Sequence, residues 1–500
     1  MLPPDALHYP ERLTWGMNLA ESETFLRQQI HIDGHWFDAD TRETIDVTNP
    51  ATGEVIGTVP NAGAAETRRA IEAAHRTFQS FSRTTAEERA AKLRILHGLL
   101  VEHQEALARL LTLEQGKPLR EARGEIAMSA KYILWFSEEA RRQYGDIIES
   151  PWPNRQLQVI HAPVGVVAAI TPWNFPSSML ARKIGPALAA GCTLVIKPAT
   201  QTPYSALAWA ILCERAGFPA GAVNILTGSA TAIGGELTGN GLVRKVTFTG
   251  STGVGKQLLA QCAASVKRVS MELGGNAPFI VFDDANLDRA VEGAIASKFR
   301  NSGQTCVCTN RIYVQSGIHD AFLDKLSAAV AELKIGQGLD EEVDFGPLID
   351  AKAVASTEAF VQDAVAKGGR LVAGGKGLGG NFFAPTIIGN ATSDMLFAKD
   401  EIFGPVAPIF TFETEDESLA LANDTEYGLA CYVYTSSLGR AHRAAQSLEY
   451  GIVGINDGLI TTEVAPFGGF KQSGVGREGS KYGMQDYLET KYVSFGALDE

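Results

Sequence analysis

The stretch FRNSGQTCVCTN, residues 299–310, holds two of the chain's six cysteines, Cys306 and Cys308, with one residue between them. Such a pair can be half of a metal site, a disulfide, or one reactive thiolate beside a second thiol. A structural zinc site needs two Cys or His pairs at suitable spacing. Here the close pair is C-x-C with no histidine near it, so no metal is expected. Cys306 follows Gly303-Gln304-Thr305, a polar, turn-forming run that need not bury its sulfur. A free cysteine is more often a small core residue than a nucleophile, so its company has to decide.

Three further stretches provide company. VSMELGGNAPF (269–279) closes an apolar run on Glu272 and two glycines. Apolar surroundings raise a carboxyl's pKa toward that of a general base. Taken alone, Glu272 reads as an ordinary carboxylate at a strand end, although the glycines point to a close approach to the backbone. ITPWNFP (170–176) is stiffened by two prolines and carries Asn174. Its amide suits a developing oxyanion, or it satisfies its own turn. VRKVTFTGSTGVGKQLLAQC runs strand, glycine turn, helix, with Gly250 and Gly255 framing Ser251. The amides at that helix N-terminus can face a pyrophosphate, or the glycines simply make a connection. Literal G-x-G-x-x-G matches at GKGLGG (375–380) and GVGREG (474–479) lack the strand-then-helix context and read as loops. Combined, the groups have complementary work. A thiolate adds to an aldehyde, an amide holds the oxyanion of the thiohemiacetal, a nicotinamide takes the hydride, and water activated by Glu272 hydrolyses the thioester.

These groups need a frame. Five hundred residues exceed what one core organises, so two or three domains are expected. Residues 62–138 read as helices. The run from Thr85 carries Glu88 at capping-box spacing and Leu93, Leu96, Leu100, Leu107 and Leu110 on one face, and Gly116 and Pro118 stop it. From 164 to 275, β-rich runs (Val164–Ile170, Thr193–Ile196, Val223–Leu226, Val246–Phe248, Val269–Met271) alternate with helical segments such as Tyr204–Ala216. That alternation predicts a parallel, doubly wound sheet. A second α/β block follows a boundary near Gly274–Gly275, while 155–163 and the tail YVSFGALDE read as strands outside both sheets.

Hydrophobic residues at 45% and charged residues at 20% describe a globular chain, and no apolar run approaches the length of a membrane span. The opening MLPPDALHYPERLTWG has no leader's apolar core, so a cytoplasmic location is expected. A net charge of −13 argues against nucleic acid and leaves any anionic ligand to local cations.

In their order, TPWNFP, FTGST, ELGGNAP, GQTC, EIFGPV and PFGGFKQSG resemble the aldehyde dehydrogenase superfamily, over about residues 25 to 495. The resemblance implies an α/β fold with a Rossmann-type dinucleotide-binding domain (20–145 and 164–274), an α/β catalytic domain (275–470) and a small β oligomerisation arm (146–163 and 484–500), in a homodimer or homotetramer. It makes Cys306 the nucleophile, Glu272 the general base and Asn174 the oxyanion donor. Thr171, Trp173, Lys197, Thr200, Gly250, Ser251, Gly255 and Glu401 would surround the cofactor. Within the superfamily, ARKIGPALAAGCTLVIKPATQTP, SKFRNSGQTCVC and EVAPFGG are similar to succinate-semialdehyde dehydrogenases. That likeness implies Arg182 and Arg300 on the substrate's distal carboxylate, with Phe467 and the hydroxyl of Thr462 nearby, and Cys308 as a redox partner of Cys306. Glutarate semialdehyde, one methylene longer, is the alternative substrate, and a non-catalytic binding protein is disfavoured because Cys306, Glu272 and Asn174 are intact. Many NAD-preferring relatives carry Glu three residues after the cofactor lysine. Thr200 stands there in this chain, so NADP is expected to serve well, with NAD also possible.

Overall fold

The computed structural model describes residues 24–497. The N-terminal stretch read for a leader, and the expected segment edges at 20–23 and 498–500, lie outside the described residues. Continuous apolar runs such as VVAAI and TLVIK suit strands covered on both faces, and these two, Val166–Ile170 and Thr193–Lys197, are the middle of an eight-stranded sheet. Its five parallel strands lie in the order Val223–Ile225, Thr193–Lys197, Val166–Ile170, Val243–Thr249, Arg268–Glu272. In chain order this is 3-2-1-4-5, the dinucleotide-binding arrangement. Antiparallel strands that the sequence pattern did not reveal cover both edges. Ile30–Ile32, backed by His35–Phe37, lies on one side, and Gly474–Val475, from the GVGREG motif, lies on the other.

The chain leaves this sheet at Glu272 and enters a second, seven-stranded sheet at Ala277, with Gly274 and Gly275 in the passage. Here Ala277–Val281 lies between Thr309–Gln315 and Ala430–Tyr434, all parallel. Both sheets alternate as period-two strands must. Val167 and Ala169 face one apolar cluster and Val166 and Ala168 another, and Phe279 and Val281 are likewise separated from Ile280. A third, antiparallel sheet joins Asp146–Ile148, Gln156–Pro163 and Leu488–Phe495, apart from both.

The helix starting at Thr85 has its capping box, with Glu88 N–H donating to Thr85 Oγ1 at 3.2 Å and Thr85 N–H to the Glu88 carboxylate at 2.7 Å. Read from its leucines as one helix, the run is two, Ala86–Glu102 and Gln104–Gln115, because His103 leaves the helical region (φ −100°, ψ 18°). The second ends on Gly116 at φ 93°, the left-handed cap that favours glycine. Helix Ser178–Ala190 is buried along its whole length, which carries Arg182 and Lys183 into the interior.

Candidate active site

Ligands of open α/β sheets bind where the strand order reverses, beyond the carboxyl ends of the strands. The reversal falls between Val166–Ile170, which runs into TPWNFP, and Val243–Thr249, which runs into Gly250-Ser251. A cavity of about 480 Å³ opens there. Trp173, Asn174, Gly250, Ser251, Glu272, Cys306 and Glu401 are in its wall. A second cavity, about 230 Å³, reaches Cys306 from the other side past Arg182, Arg300, Phe467, Glu121 and Thr461. Cys306 therefore stands at the junction of two chambers. A third cavity, about 840 Å³, lies against the three-stranded sheet and includes none of these residues.

Local backbone sets the place of Cys306. Asn301, Ser302 and Gly303 are all left-handed (φ 51°, 57° and 77°), reversing the chain between helix Leu287–Lys298 and Cys306. A Cβ on Gly303 would stand 2.2 Å from the Gly404 carbonyl oxygen. At Gly275 a Cβ would meet the Cys306 carbonyl oxygen at 2.5 Å, and at Gly274 the Glu401 carboxylate at 2.7 Å. The two glycines after Glu272 thus admit the Cys306 backbone and a second carboxylate, Glu401.

Glu272 ends its strand only 3% exposed, and neither carboxylate oxygen has a hydrogen-bond partner. Burial, with the Glu478 carboxylate nearby, holds it well above the usual carboxylate range. A base that keeps its proton avidly is suited to taking one from water. Burial likewise pushes the Cys306 thiol up to about 12 and Glu401 to about 8. Cys306 is therefore a thiol at neutral pH in this state, and attack requires a base. Asn174 donates one N–H to the Gln304 carbonyl at 3.0 Å, and its amide has a second.

Arg182, 3% exposed, lies over the rings of Phe467 at 4.3 Å and Tyr132 at 4.9 Å, and its Nε and Nη1 have no hydrogen-bond partner. Lys183 takes Glu478 at 2.5 Å and Thr249 Oγ1 at 2.7 Å, leaving Arg182 at 3.7 Å from that carboxylate. Glu478 escaped the sequence reading because GVGREG reads as a loop. The signal for its partner was present, two adjacent cations in an otherwise apolar helix.

The other expected residues lie outside these walls. Thr171 Oγ1 is buried without a partner at the strand end. Lys197 ends the adjacent strand with Nζ on the Pro198 carbonyl at 2.9 Å, and burial alone lowers it to about 8. Thr200 follows, half-buried. Gly255 packs under Leu273, whose side chain a Cβ would meet at 2.4 Å, so it serves helix–strand contact. Thr461, not Thr462, faces the smaller chamber, because the Thr462 hydroxyl turns to Glu463 at 3.2 Å. Cys308 points inward, its thiol on the Lys298 carbonyl at 3.3 Å.

Residues 36–493 match the model of the aldehyde dehydrogenase family. The chain belongs to the aldehyde dehydrogenase family. It is similar to a glutarate-semialdehyde dehydrogenase of Pseudomonas aeruginosa, 61% identical across 96% of this chain and 100% of that one. It is also similar to the NADP(+) succinate-semialdehyde dehydrogenase GabD of Escherichia coli, 60% identical across 96% and 100%. A crystal structure of an E. coli NADP dependent enzyme superposes with a TM-score of 0.94, at 59% identity, over 95% of this chain and 99% of that one. This aldehyde dehydrogenase is thus an oxidoreductase with the family's α/β fold. Among the described residues, no helix is long and apolar enough to cross a membrane, and no cluster of His, Cys, Asp or Glu could hold a metal ion.

Proposed function

We propose that this aldehyde dehydrogenase oxidises a short semialdehyde carrying a distal carboxylate, succinate semialdehyde to succinate, with NADP or NAD. The observation that carries the reading is Arg182. Its buried guanidinium lines the chamber that opens on Cys306, with Nε and Nη1 free of hydrogen bonds and Nη1 only loosely ion-paired, 3.7 Å from Glu478. In a chain of net charge −13 such a cation calls for an anionic ligand, and a guanidinium fork matches a carboxylate. Arg300, in the same wall, adds a second.

The dinucleotide fits the groups present. The helix Thr252–Ala263 begins at Ser251 without a side-chain cap, leaving its first amides for a phosphate. Lys197 is a buried ammonium with no carboxylate partner among the described residues, suited to ribose or a 2′-phosphate, and Thr200 adds no repelling charge beside it. Trp173, Gly250, Ser251 and Glu401 line the approach to Cys306. When bound, the cofactor accepts the hydride released from the former aldehyde carbon.

Cys306 Sγ attacks the carbonyl carbon as its proton leaves to Glu272, the unpartnered carboxylate of the same cavity. The Asn174 amide holds the resulting oxyanion. Once hydride is lost the carbon is a thioester. Glu272 passes the proton it took from Cys306 to solvent and then deprotonates water, whose hydroxyl displaces the Cys306 thiolate and releases the acid.

Glutarate semialdehyde remains a second reading, supported by the 61% relative that bears its name. One methylene changes discrimination by only about 1–3 kcal/mol. We further propose that the three-stranded sheet is the contact through which the chain forms a homodimer or homotetramer.

The test is initial-rate nucleotide reduction with succinate semialdehyde, glutarate semialdehyde and an uncharged aldehyde of equal length, each with NAD and NADP, in wild type, Arg182→Met and Arg300→Ala. The carboxylated substrates are expected to lead, and the lead to shrink about 10- to 100-fold in Arg182→Met, the range for one charged hydrogen-bonding group. Equal rates with the uncharged aldehyde, and an indifferent Arg182→Met, would remove the semialdehyde reading. Efficiency at least about tenfold better with NAD, a difference of some 1.4 kcal/mol, would remove the NADP preference.

A further inference from the structure

Beside both catalytic loops lies a buried polar cluster that none of the steps above uses. Lys117, 1% exposed, sits just past the helix Gln104–Gln115. Its ammonium donates to the Asn174 backbone carbonyl at 2.7 Å and to Glu125 Oε2 at 2.7 Å, with the Phe175 ring 3.8 Å away. The other oxygen of Glu125 accepts from the backbone N–H groups of Ser177 and Ser178, at 2.9 and 3.1 Å. One ion pair thus holds the Asn174–Ser178 turn at both ends.

The same cluster reaches the nucleophile loop. Asn301 Nδ2 donates to the Asn174 carbonyl at 3.1 Å and to the Gln304 carbonyl at 3.2 Å, while Gln115 fixes Asn301 Oδ1 at 3.0 Å. The Gln304 carbonyl also receives the side-chain amide of Asn174 at 3.0 Å. The carbonyl of Asn174 is therefore gripped by one residue from each side, and its side chain is aimed relative to a carbonyl two residues before Cys306.

Burying an ammonium and a carboxylate contributes little net stability, since desolvation offsets the attraction. Fixing a donor to within a fraction of an ångström, by contrast, is worth much in a transition state. We propose that Lys117 is a positioning residue, which with Asn301 locks the backbone of Asn174 so that its amide meets the oxyanion formed at Cys306. The proposal rests on Asn174 being the oxyanion donor.

A double-mutant cycle tests it. Lys117→Met, Asn174→Ala and the double variant are compared by kcat and KM for aldehyde oxidation, and by nucleotide-free hydrolysis of 4-nitrophenyl acetate, whose acyl transfer to Cys306 forms an oxyanion at the same place. Asn174→Ala is expected to lower kcat by about 10²-fold, the loss typical of one oxyanion donor. Lys117→Met is expected to lower kcat and ester turnover by about tenfold or more with aldehyde KM little changed, and to add less than about threefold in the Asn174→Ala background, the signature of residues acting as a unit. Equal losses in both backgrounds, or a folded Lys117→Met with wild-type kcat, would overturn the proposal. An Asn174→Ala enzyme with unchanged kcat would overturn the reading beneath it. Lys117→Met strands Glu125 as a lone buried carboxylate. If it does not fold, Lys117→Met/Glu125→Gln carries the same cycle. Should that pair also fail to fold, Asn301→Gly, which keeps the left-handed backbone and removes the amide, decides the matter with the same outcomes.

Discussion

At the scale of single residues, the proposed catalytic carboxylate is tuned by a neighbouring carboxylate. Glu272 holds a proton more tightly than a free carboxyl because it is buried and because Glu478 is nearby, while Lys183, Arg182 and Arg477 pull in the opposite direction. Glu478→Gln removes the repelling charge and frees Lys183 to favour ionised Glu272. The pKa of Glu272 then falls, and the acid limb of the kcat profile is expected to move to lower pH. An unmoved or raised limb would show that another group sets it. Glu272→Gln is expected to lower kcat by about 10²- to 10⁴-fold, the range of a lost general base, because both attack by Cys306 and hydrolysis of the thioester lose it. Initial-rate nucleotide reduction would read that loss. Cys306, Glu272 and Asn174 could be singled out as candidates because their chemistry is complementary and each stands beside glycine, proline or turn residues. Glu478 was not, since its ion pair with Lys183 joins residues 295 positions apart, and Lys117 was not, since its contact with the Asn174 carbonyl spans 57 positions.

At the scale of elements, the proposed nucleophile depends on a close backbone approach that glycine supplies at 303. Gly303→Ala puts a Cβ at φ 77° against the backbone oxygen of Gly404, and neither atom is the end of a flexible side chain. A left-handed alanine costs about 1–2 kcal/mol, and overpacking adds about 1–3 kcal/mol. A lower melting temperature and a larger loss of kcat than of aldehyde KM are expected, because the displaced loop carries Cys306. Thr85→Ala is the contrast. Losing that cap costs about 1 kcal/mol in a helix remote from the site, so stability falls and kcat holds. The parallel strands were legible for the same local reason as the cap, since apolar runs bounded by turn residues carry their own signal. The edge strands were not. Ile30–Ile32 and Gly474–Val475 are two or three residues long and owe their pairing to a sheet built by distant sequence. The break at His103 was missed because the leucine spacing continues across it.

At the scale of the whole molecule, the three-stranded sheet is the part that does not pay its way as a monomer. Strand Leu488–Phe495 pairs along one side with Gln156–Pro163, and as the end strand of the sheet it leaves its outer edge without a strand partner among the described residues. Exposed backbone edges of that length invite pairing with another chain. Its surfaces are apolar as well. Ile147 is 78% exposed, and Ile148, Ile160, Tyr492 and Phe495 also face solvent. The register sets Ile147, Ile160 and Phe495 on one face and Ile148 and Tyr492 on the other, so both faces need cover. Folded monomers seldom expose contiguous apolar patches of this kind. A second copy of the chain would cover edge and faces together. Light scattering is expected to give a multiple of the 53.5 kDa chain mass. Ile147→Asp with Phe495→Asp is expected to shift it toward one chain while the distant Cys306 junction stays intact. A wild-type protein of one chain mass, or a double variant with unchanged assembly, would move the interface elsewhere. The sequence showed strands outside both sheets but not which surface they leave bare, since that follows only from the register between residues more than 300 positions apart, such as Tyr492 and Val159.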